Sequence, residues 1–128
     1  MSSNTLRHYA LDHPEWINQK QRELGVQVVK VSDIIGGNPF ASKHYSNNWE
    51  PNDIEFDRRY QRVERLVKEA IAMQKNVALD LGYIHLFKVY SEELGKCVYY
   101  VCMDGHRRVS NCHRLGVDEI KAKVTELI

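Results

Sequence analysis

A nearly unbroken apolar run at residues 97–103 constrains the fold of this chain more than any other feature. A strand buried on both faces of a sheet reads as a continuous apolar run, whereas a half-exposed strand alternates. The run therefore predicts a central strand. Residues 83–90 form a second strand pattern, and the turn residues 91–96, with Gly95, join the two segments into a hairpin.

Residues 12–25 carry several sequence signals that are typical of a helix and its two ends. Asp12 and Glu15 resemble a capping box, and Pro14 suits the first position of a helix. Gly25 is typical of the residue just past a helix end. We therefore predict a helix over residues 12–24.

The remaining segments alternate between strand and helix patterns. Residues 26–31 are mostly β-branched and predict a strand. From residue 53 or 57 to residue 75, apolar side chains recur at three- and four-residue spacing, which predicts a long helix. A short helix is expected over residues 106–115, closed by Gly116. Residues 120–127 alternate cleanly and predict a half-exposed strand.

This order of elements predicts an α+β fold, with a mixed β-sheet and helices packed on it. The chain has 128 residues, which is enough for one domain with its own core. We expect residues 1–25 to form an N-terminal lead-in and helix, and residues 26–128 to form the domain.

The segment from residue 36 to residue 52 shows no periodicity, and it is longer than most connections in compact domains. Such loops are usually functional lids or disordered. We expect this one to be mobile without ligand and to close over the turn at residues 104–108. Two interpretations of its aromatic residues Tyr45 and Trp49 remain open. Their rings stack on a base, or they anchor the loop to the core.

Composition narrows the environment and the partners of the chain. The net charge is +1, so any affinity for phosphate must come from a local cluster of charges. The three cysteines, Cys97, Cys102 and Cys112, form neither a disulfide framework nor a zinc-binding pattern. The first residues lack a signal-peptide pattern, and the apolar runs are too short to cross a bilayer. We expect a cytoplasmic protein without a membrane partner.

The residue pattern at 104–108, Asp-Gly-His-Arg-Arg, is the strongest functional signal. A buried strand that ends in a glycine turn and passes at once into a helix aims several backbone N–H groups, and the positive end of the helix dipole, at one point. Gly105 permits close approach of a ligand, and Arg107 and Arg108 offer forked donors for phosphate oxygens. Two arginines in a first helical turn oppose the dipole, which a bound anion would offset. The alternative is that Asp104 caps the helix and the arginines are solvated.

The other residues of the turn have several candidate roles. Asp104 holds a divalent metal through a nucleotide, orients Arg107, or caps the helix. His106 acts as an acid or base, or donates a hydrogen bond to phosphate. Asp104 and His106 are therefore the candidate catalytic residues, and no metal site made by the protein alone is predicted.

Residues 104–110 and 115–122 resemble the ParB/sulfiredoxin superfamily, specifically the ParB N-terminal-like domain, also called the ParB-like nuclease domain. Members carry a strand, a glycine turn with basic residues, a helix that closes in Leu-Gly, and a further strand. Residues 28–34 resemble the opening strand of that domain, and Asn38-Pro39 resembles the Asn/Gln-Pro pair that follows it. The resemblance covers about residues 26–127.

This resemblance implies a nucleotide-binding site. Gly105, Arg107 and Arg108 match the phosphate-binding turn, with His106 inside it, and Asn38 matches a second phosphate-binding position. The implied cofactor is a nucleoside di- or triphosphate, with or without Mg²⁺. Where sulfiredoxin has its catalytic cysteine this chain has His106, which argues against sulfinic acid reduction.

Two further departures bear on the partition proteins of the superfamily. Phe40 stands where those proteins carry an arginine, so one phosphate contact is not reproduced. No helix-turn-helix pattern follows before Ile128, so we expect a stand-alone version of the domain.

Three functional hypotheses follow. The first is a nucleotide-phosphate-binding domain that also acts as a nucleotide hydrolase or phosphotransferase. The second is a nucleic-acid-binding protein or nuclease, and the third is a catalytically inert interaction module. Arg58, Arg62 and Arg65 share one side of the long helix. They form either a second contact to phosphate or a solvated, salt-bridged face.

Overall fold

The computed structural model describes residues 5–52, 58–74 and 82–128. Within these ranges the chain forms six β-strands and four α-helices, which confirms the α+β prediction. Strands β1 to β6 are Arg7–His8, Gln21–Lys30, Ile34–Gly37, Ile84–Ser91, Lys96–Val101 and Glu119–Leu127. Helices α1 to α4 are Tyr9–Asp12, Pro39–Ser42, Arg58–Ala72 and His106–Leu115. Short 3₁₀ helices at Pro14–Asn18 and Val31–Asp33 precede β2 and β3.

The strands form one mixed sheet in the order β1-β3-β5-β4-β6-β2. The predicted hairpin is present as the antiparallel pair β4 and β5. On its other side β5 pairs in parallel with β3, so the apolar run does form a central strand, as predicted. β4 pairs in parallel with β6, which in turn pairs antiparallel with β2. The carboxyl end of β5 therefore lies in the middle of the sheet, and the site is built there.

Alternating side chains of the sheet feed two separate apolar clusters. Leu86, Val101 and Val124 belong to the larger cluster, which includes side chains from α3 and α4. Their chain neighbours Phe87 and Tyr100 belong to a smaller cluster with Tyr9 and Trp16. Because successive strand residues point to opposite faces, the helices α3 and α4 cover one face, and the N-terminal segment covers part of the other.

The predicted apolar stripe of the long helix is confirmed in α3. Tyr60, Val67 and Ala70 are buried, whereas Ile71 at the edge of the stripe is 44% exposed. α3 has 15 residues. Among the helices in the described ranges, none has both the length and the apolar composition needed to cross a membrane.

The predicted helix over residues 12–24 is wrong. α1 ends at Asp12, the next helical residues are Pro14–Asn18, a 3₁₀ turn with Pro14 at its start, and β2 begins soon after it. Gly25 has a φ of +75° within β2, beside a register shift that follows Glu23. The glycine marks a bulge in a strand instead of a helix end. Pairing with β6 satisfies the backbone groups of the whole segment, which outweighs its weak local helix signals.

The segment over residues 36–52, expected from sequence to lack regular structure, contains the end of β3 and the short helix α2. Its aromatic side chains anchor it to the core. Tyr45 and Trp49 are 5% and 2% exposed, and the indole N–H of Trp49 donates a hydrogen bond of 2.8 Å to the carbonyl of Ile34. The anchoring interpretation is therefore confirmed, and the buried rings do not offer a platform for base stacking. The Tyr45 ring also stacks on His106, at 6.5 Å between centroids, so the loop lies against the 104–108 turn.

The three cysteines are free thiols, and Cys112 is fully buried in α4. Burial raises the pKa of the Cys112 thiol to about 12, so this residue packs in the core and forms almost no thiolate at neutral pH.

We expect an aromatic disulfide reagent to label Cys97 and Cys102 in the native protein and Cys112 only after unfolding. Labelling stoichiometry of the wild type and of Cys112→Ala measures this. Loss of a fast-reacting thiol in the variant would contradict the packing of α4.

Candidate functional site

The 104–108 turn joins the central strand directly to α4, as predicted. β5 ends at Val101, Gly105 is the N-cap with a φ of +118°, and α4 starts at His106. Since the N-cap residue is Gly105, the alternative in which Asp104 caps the helix is wrong. α4 is described over its whole length and has no acidic residue in its first turn. A glycine cap leaves the first N–H groups of the helix without the side-chain acceptor that Ser or Asp would supply.

Gly105 is required by space as well as by its dihedral angles. A Cβ atom built at this position would lie 2.5 Å from Cγ2 of Ile84, the first residue of β4. The turn is therefore packed directly on the start of the neighbouring strand, with no room for a side chain.

His106 is a buried contact between the turn and the end of β3. Its side chain is 6% exposed, and its Nε2 accepts a hydrogen bond of 3.1 Å from the backbone N–H of Asn38. A Cβ atom at Gly37 would lie 2.3 Å from the same Nε2. Burial lowers the pKa of His106 to about 4, with a smaller contribution from Arg107 in the same direction and an opposing one from Asp104. The imidazole is therefore neutral at pH 7, with its proton on Nδ1.

Asn38 holds the two walls of the site together. Its side-chain N–H donates to the carbonyl of Met103 at 3.0 Å. Its Oδ1 accepts from the backbone N–H groups of Phe40 and Ala41, which caps α2. These bonds use the amide group within the protein, and a direct contact from Asn38 to phosphate stays a prediction.

Arg107 and Arg108 are both half-buried and line the same cleft. The guanidinium of Arg108 donates a hydrogen bond to the carbonyl of Gly82, and burial lowers its pKa. An arginine remains charged in spite of such a shift, so the guanidinium presents a partly desolvated charge whose direction is held by Gly82.

The cleft has a volume of about 560 Å³ and brings the predicted turn residues together. Asp104, Gly105, His106, Arg107 and Arg108 form one wall, and Met103 adjoins them. The other walls come from the loop and from α3, with the lining residues Ala41, His44, Tyr45, Pro51, Asn52 and Val63. Sequence reasoning did not assign His44 and Asn52 to the site, because no local pattern indicates which loop residues face a turn so distant in the chain.

The arginines of α3 bear on the choice between a second phosphate contact and a solvated face. Arg58, Arg62 and Arg65 of α3 are exposed, as a solvated face requires, and Glu64 lies 3.5 Å from Arg114. Within the described ranges, no group of three or more His, Cys, Asp or Glu side chains is placed to hold a metal ion.

The chain matches no protein-family model, and none of the curated proteins matches it in sequence.

The protonation of His106 is a testable feature of the site. We expect a nitrogen-detected NMR titration to show a proton on Nδ1 at pH 7 and a pKa well below 6.5. Because the pKa in the folded state lies below the unfolded value, the unfolded chain binds the extra proton as the pH falls from 6.5 towards 4. His106 therefore contributes stability above pH 6.5 that is lost progressively in this window. An ordinary pKa would contradict the burial of His106, and a proton on Nε2 would contradict the hydrogen bond from Asn38.

Proposed function

We propose that the cleft binds the phosphate groups of a nucleoside di- or triphosphate, and that Arg107, Arg108 and the first N–H groups of α4 hold them. The observation that carries this proposal is the glycine-capped start of α4, which opens with two arginines into a cleft of about 560 Å³. A cleft of this size accommodates a nucleotide-sized ligand. The resemblance to ParB/sulfiredoxin-like domains at residues 104–122 supports the same ligand.

Electrostatics favour an anion at this point. The dipole of α4 places a partial positive charge at its N-terminus, and the two arginines raise the local charge further. A phosphate at this point forms charge-assisted hydrogen bonds with the guanidinium groups and interacts favourably with the helix dipole. Because the imidazole of His106 is neutral, it adds no charge to this end of the helix.

The roles of the two candidate catalytic residues separate within this proposal. His106 is buried and its Nε2 is occupied by Asn38, so it positions the turn instead of moving a proton. Asp104 is exposed and lines the cleft, which supports a role for its carboxylate in sharing a nucleotide-bound Mg²⁺ or in orienting a water molecule. Hydrolysis or phosphotransfer is therefore proposed to depend on Asp104.

A thermal-shift series tests the proposal. The ligands are ATP, ADP, CTP, GTP, inorganic phosphate and a short oligonucleotide, each with and without Mg²⁺. A nucleotide at a hundred times its Kd stabilises the native state by about 2.7 kcal/mol, which raises the melting temperature by roughly 10 °C for a domain of this size. We expect this shift for at least one nucleotide, and a smaller one for phosphate.

Two outcomes would overturn the proposal. A shift with the oligonucleotide but with no nucleotide would favour a nucleic-acid-binding protein or nuclease. No shift with any ligand would favour the inert interaction module. For a nucleotide that binds, release of inorganic phosphate by the wild type and by Asp104→Asn distinguishes hydrolysis from binding alone.

A further inference from the structure

The two edges of the sheet differ in a way that points to self-association. One edge is β1, which has only two residues, and the other is β2, which has ten. β2 pairs with β6 along its whole length on one side, and no strand of the described ranges pairs with its other side. A long open edge is a template for a further strand, and proteins usually protect such edges by shortness, bulges or charges.

The exposed side chains of β2 make this edge apolar on one face. Val26 and Val28 are 45% and 58% exposed. Their register partners on β6 are Lys123 and Lys121, which are also exposed. The N-terminal segment covers the opposite end of this face, around Phe87. The two valines therefore lie on a part of the sheet that no layer of the described chain covers.

We propose that β2 pairs antiparallel with β2 of a second copy of this chain, about a two-fold axis at Gln27, so that the two sheets become one. In such a pair, residues directly opposite each other point to the same face. A two-fold axis at Gln27 sets Val26 of each copy opposite Val28 of the other, which covers both valines. An axis at Val28 would instead set Val26 opposite Lys30.

Charge supports the same register. With the axis at Gln27, Lys30 of one copy lies opposite Leu24 of the other, the extra residue of the bulge. The bulge turns Glu23 to the same face as Lys30 and beside it, and both side chains are exposed. Lys121 and Lys123 of β6 lie one strand further from the two-fold axis in each copy. Three strand spacings separate Lys121 of one copy from Lys123 of the other, about 14 Å at 4.8 Å per strand, and salt screens like charges at that distance. The bulge of β2 ends at Gly25 and leaves the central part of the strand regular.

Disulfide trapping tests the register in the full-length protein. Residues directly opposite in an antiparallel pair have Cα atoms about 4.5–5.5 Å apart, which is within the range of a disulfide. We expect Gln27→Cys to form a cross-linked dimer under mild oxidation, at least about tenfold faster than Lys30→Cys or the wild type, because the geometry of Lys30 excludes a symmetric bond. The wild type reports the background from the native cysteines.

Sedimentation velocity provides the second measurement, which needs no new cysteine. The chain has a mass of 15.0 kDa, and we expect the wild type to sediment as a dimer at high concentration. Val28→Lys is expected to weaken the dimer by about tenfold or more, because it places a charge in the apolar pair. A monomeric wild type at every concentration would overturn the proposal. Equal cross-linking of Gln27→Cys and Lys30→Cys, or faster cross-linking of Val28→Cys, would also overturn it.

Discussion

Replacing Gly105 with alanine is expected to lower the free energy of unfolding by about 2–6 kcal/mol, a large part of the stability of a domain of this size. Two costs add. The φ of +118° is unfavourable for any residue with a Cβ atom. The new methyl group would also lie 2.5 Å from Cγ2 and 2.9 Å from Cβ of Ile84, so β4 or α4 must shift. Chemical denaturation of the wild type and of the variant measures the difference.

Gly116 offers a matched control at the other end of the same helix. Its φ is +76°, and a Cβ atom there would meet no other atom within 4 Å. Gly116→Ala therefore carries the dihedral cost alone, about 1–2 kcal/mol. If the two variants were equally stable, the close packing of the turn on β4 would be contradicted. Any Gly105→Ala protein that folds should also bind nucleotide more weakly, because the start of α4 has moved.

Replacing Arg108 with alanine is expected to weaken nucleotide binding by about tenfold to a hundredfold, since charge-assisted hydrogen bonds contribute about 1.5–3 kcal/mol each. The melting temperature without ligand should change little. The side chain is half-buried and lines an open cleft, and its guanidinium donates to the carbonyl of Gly82, an exposed residue that water can solvate.

Isothermal titration and melting curves together decide the role of Arg108. Arg62→Ala is the matched control, because this arginine is exposed on α3. The control should retain wild-type affinity for a nucleotide. A collapsed melting temperature for Arg108→Ala would indicate a structural ion pair, because an unpaired buried charge is costly. Unchanged affinity for every nucleotide would remove the arginine from the site.

The elements that were predicted from sequence are those whose signals are local. The apolar run of β5, the glycine turn after it and the alternation of β6 each lie within about ten residues of chain. Periodicity reports which faces are buried, so the central strand, the final helix and the last strand followed from it. Gly116 ends α4 in the left-handed conformation, as its position suggested.

The N-terminal half of β2 was not predictable in the same way. Its partner β6 lies about a hundred residues away, with Arg22 opposite Glu126. The helix signals at Asp12 and Pro14 are local and end after one turn. The residues that follow become a strand because β6 offers them a ladder of hydrogen bonds, and no periodicity within the segment reports that partner.

For the site as well, the features predicted from sequence are the local ones, and the features that were missed depend on residues distant in the chain. The five residues of the turn are contiguous, and all of them line the cleft. The contacts of Asn38 with Met103 and His106 span 65 and 68 residues of chain. Sequence reasoning indicated Asn38 only through resemblance, as a phosphate ligand, and did not anticipate that it ties the loop to the turn. Burial is the main cause of the neutral state of His106, and it comes in part from Tyr45, which is similarly distant in the chain.

Backbone NMR gives the most direct test of phosphate binding at the start of α4. In a titration of the ¹⁵N-labelled protein with a nucleoside triphosphate, the amide signals of Gly105, His106, Arg107 and Arg108 should shift first and furthest. Inorganic phosphate should shift the same signals at higher concentration, because the donors recognise its oxygens. Shifts confined to surfaces away from this turn, or no shifts at millimolar nucleotide, would contradict the proposal that the glycine-capped helix is an anion site.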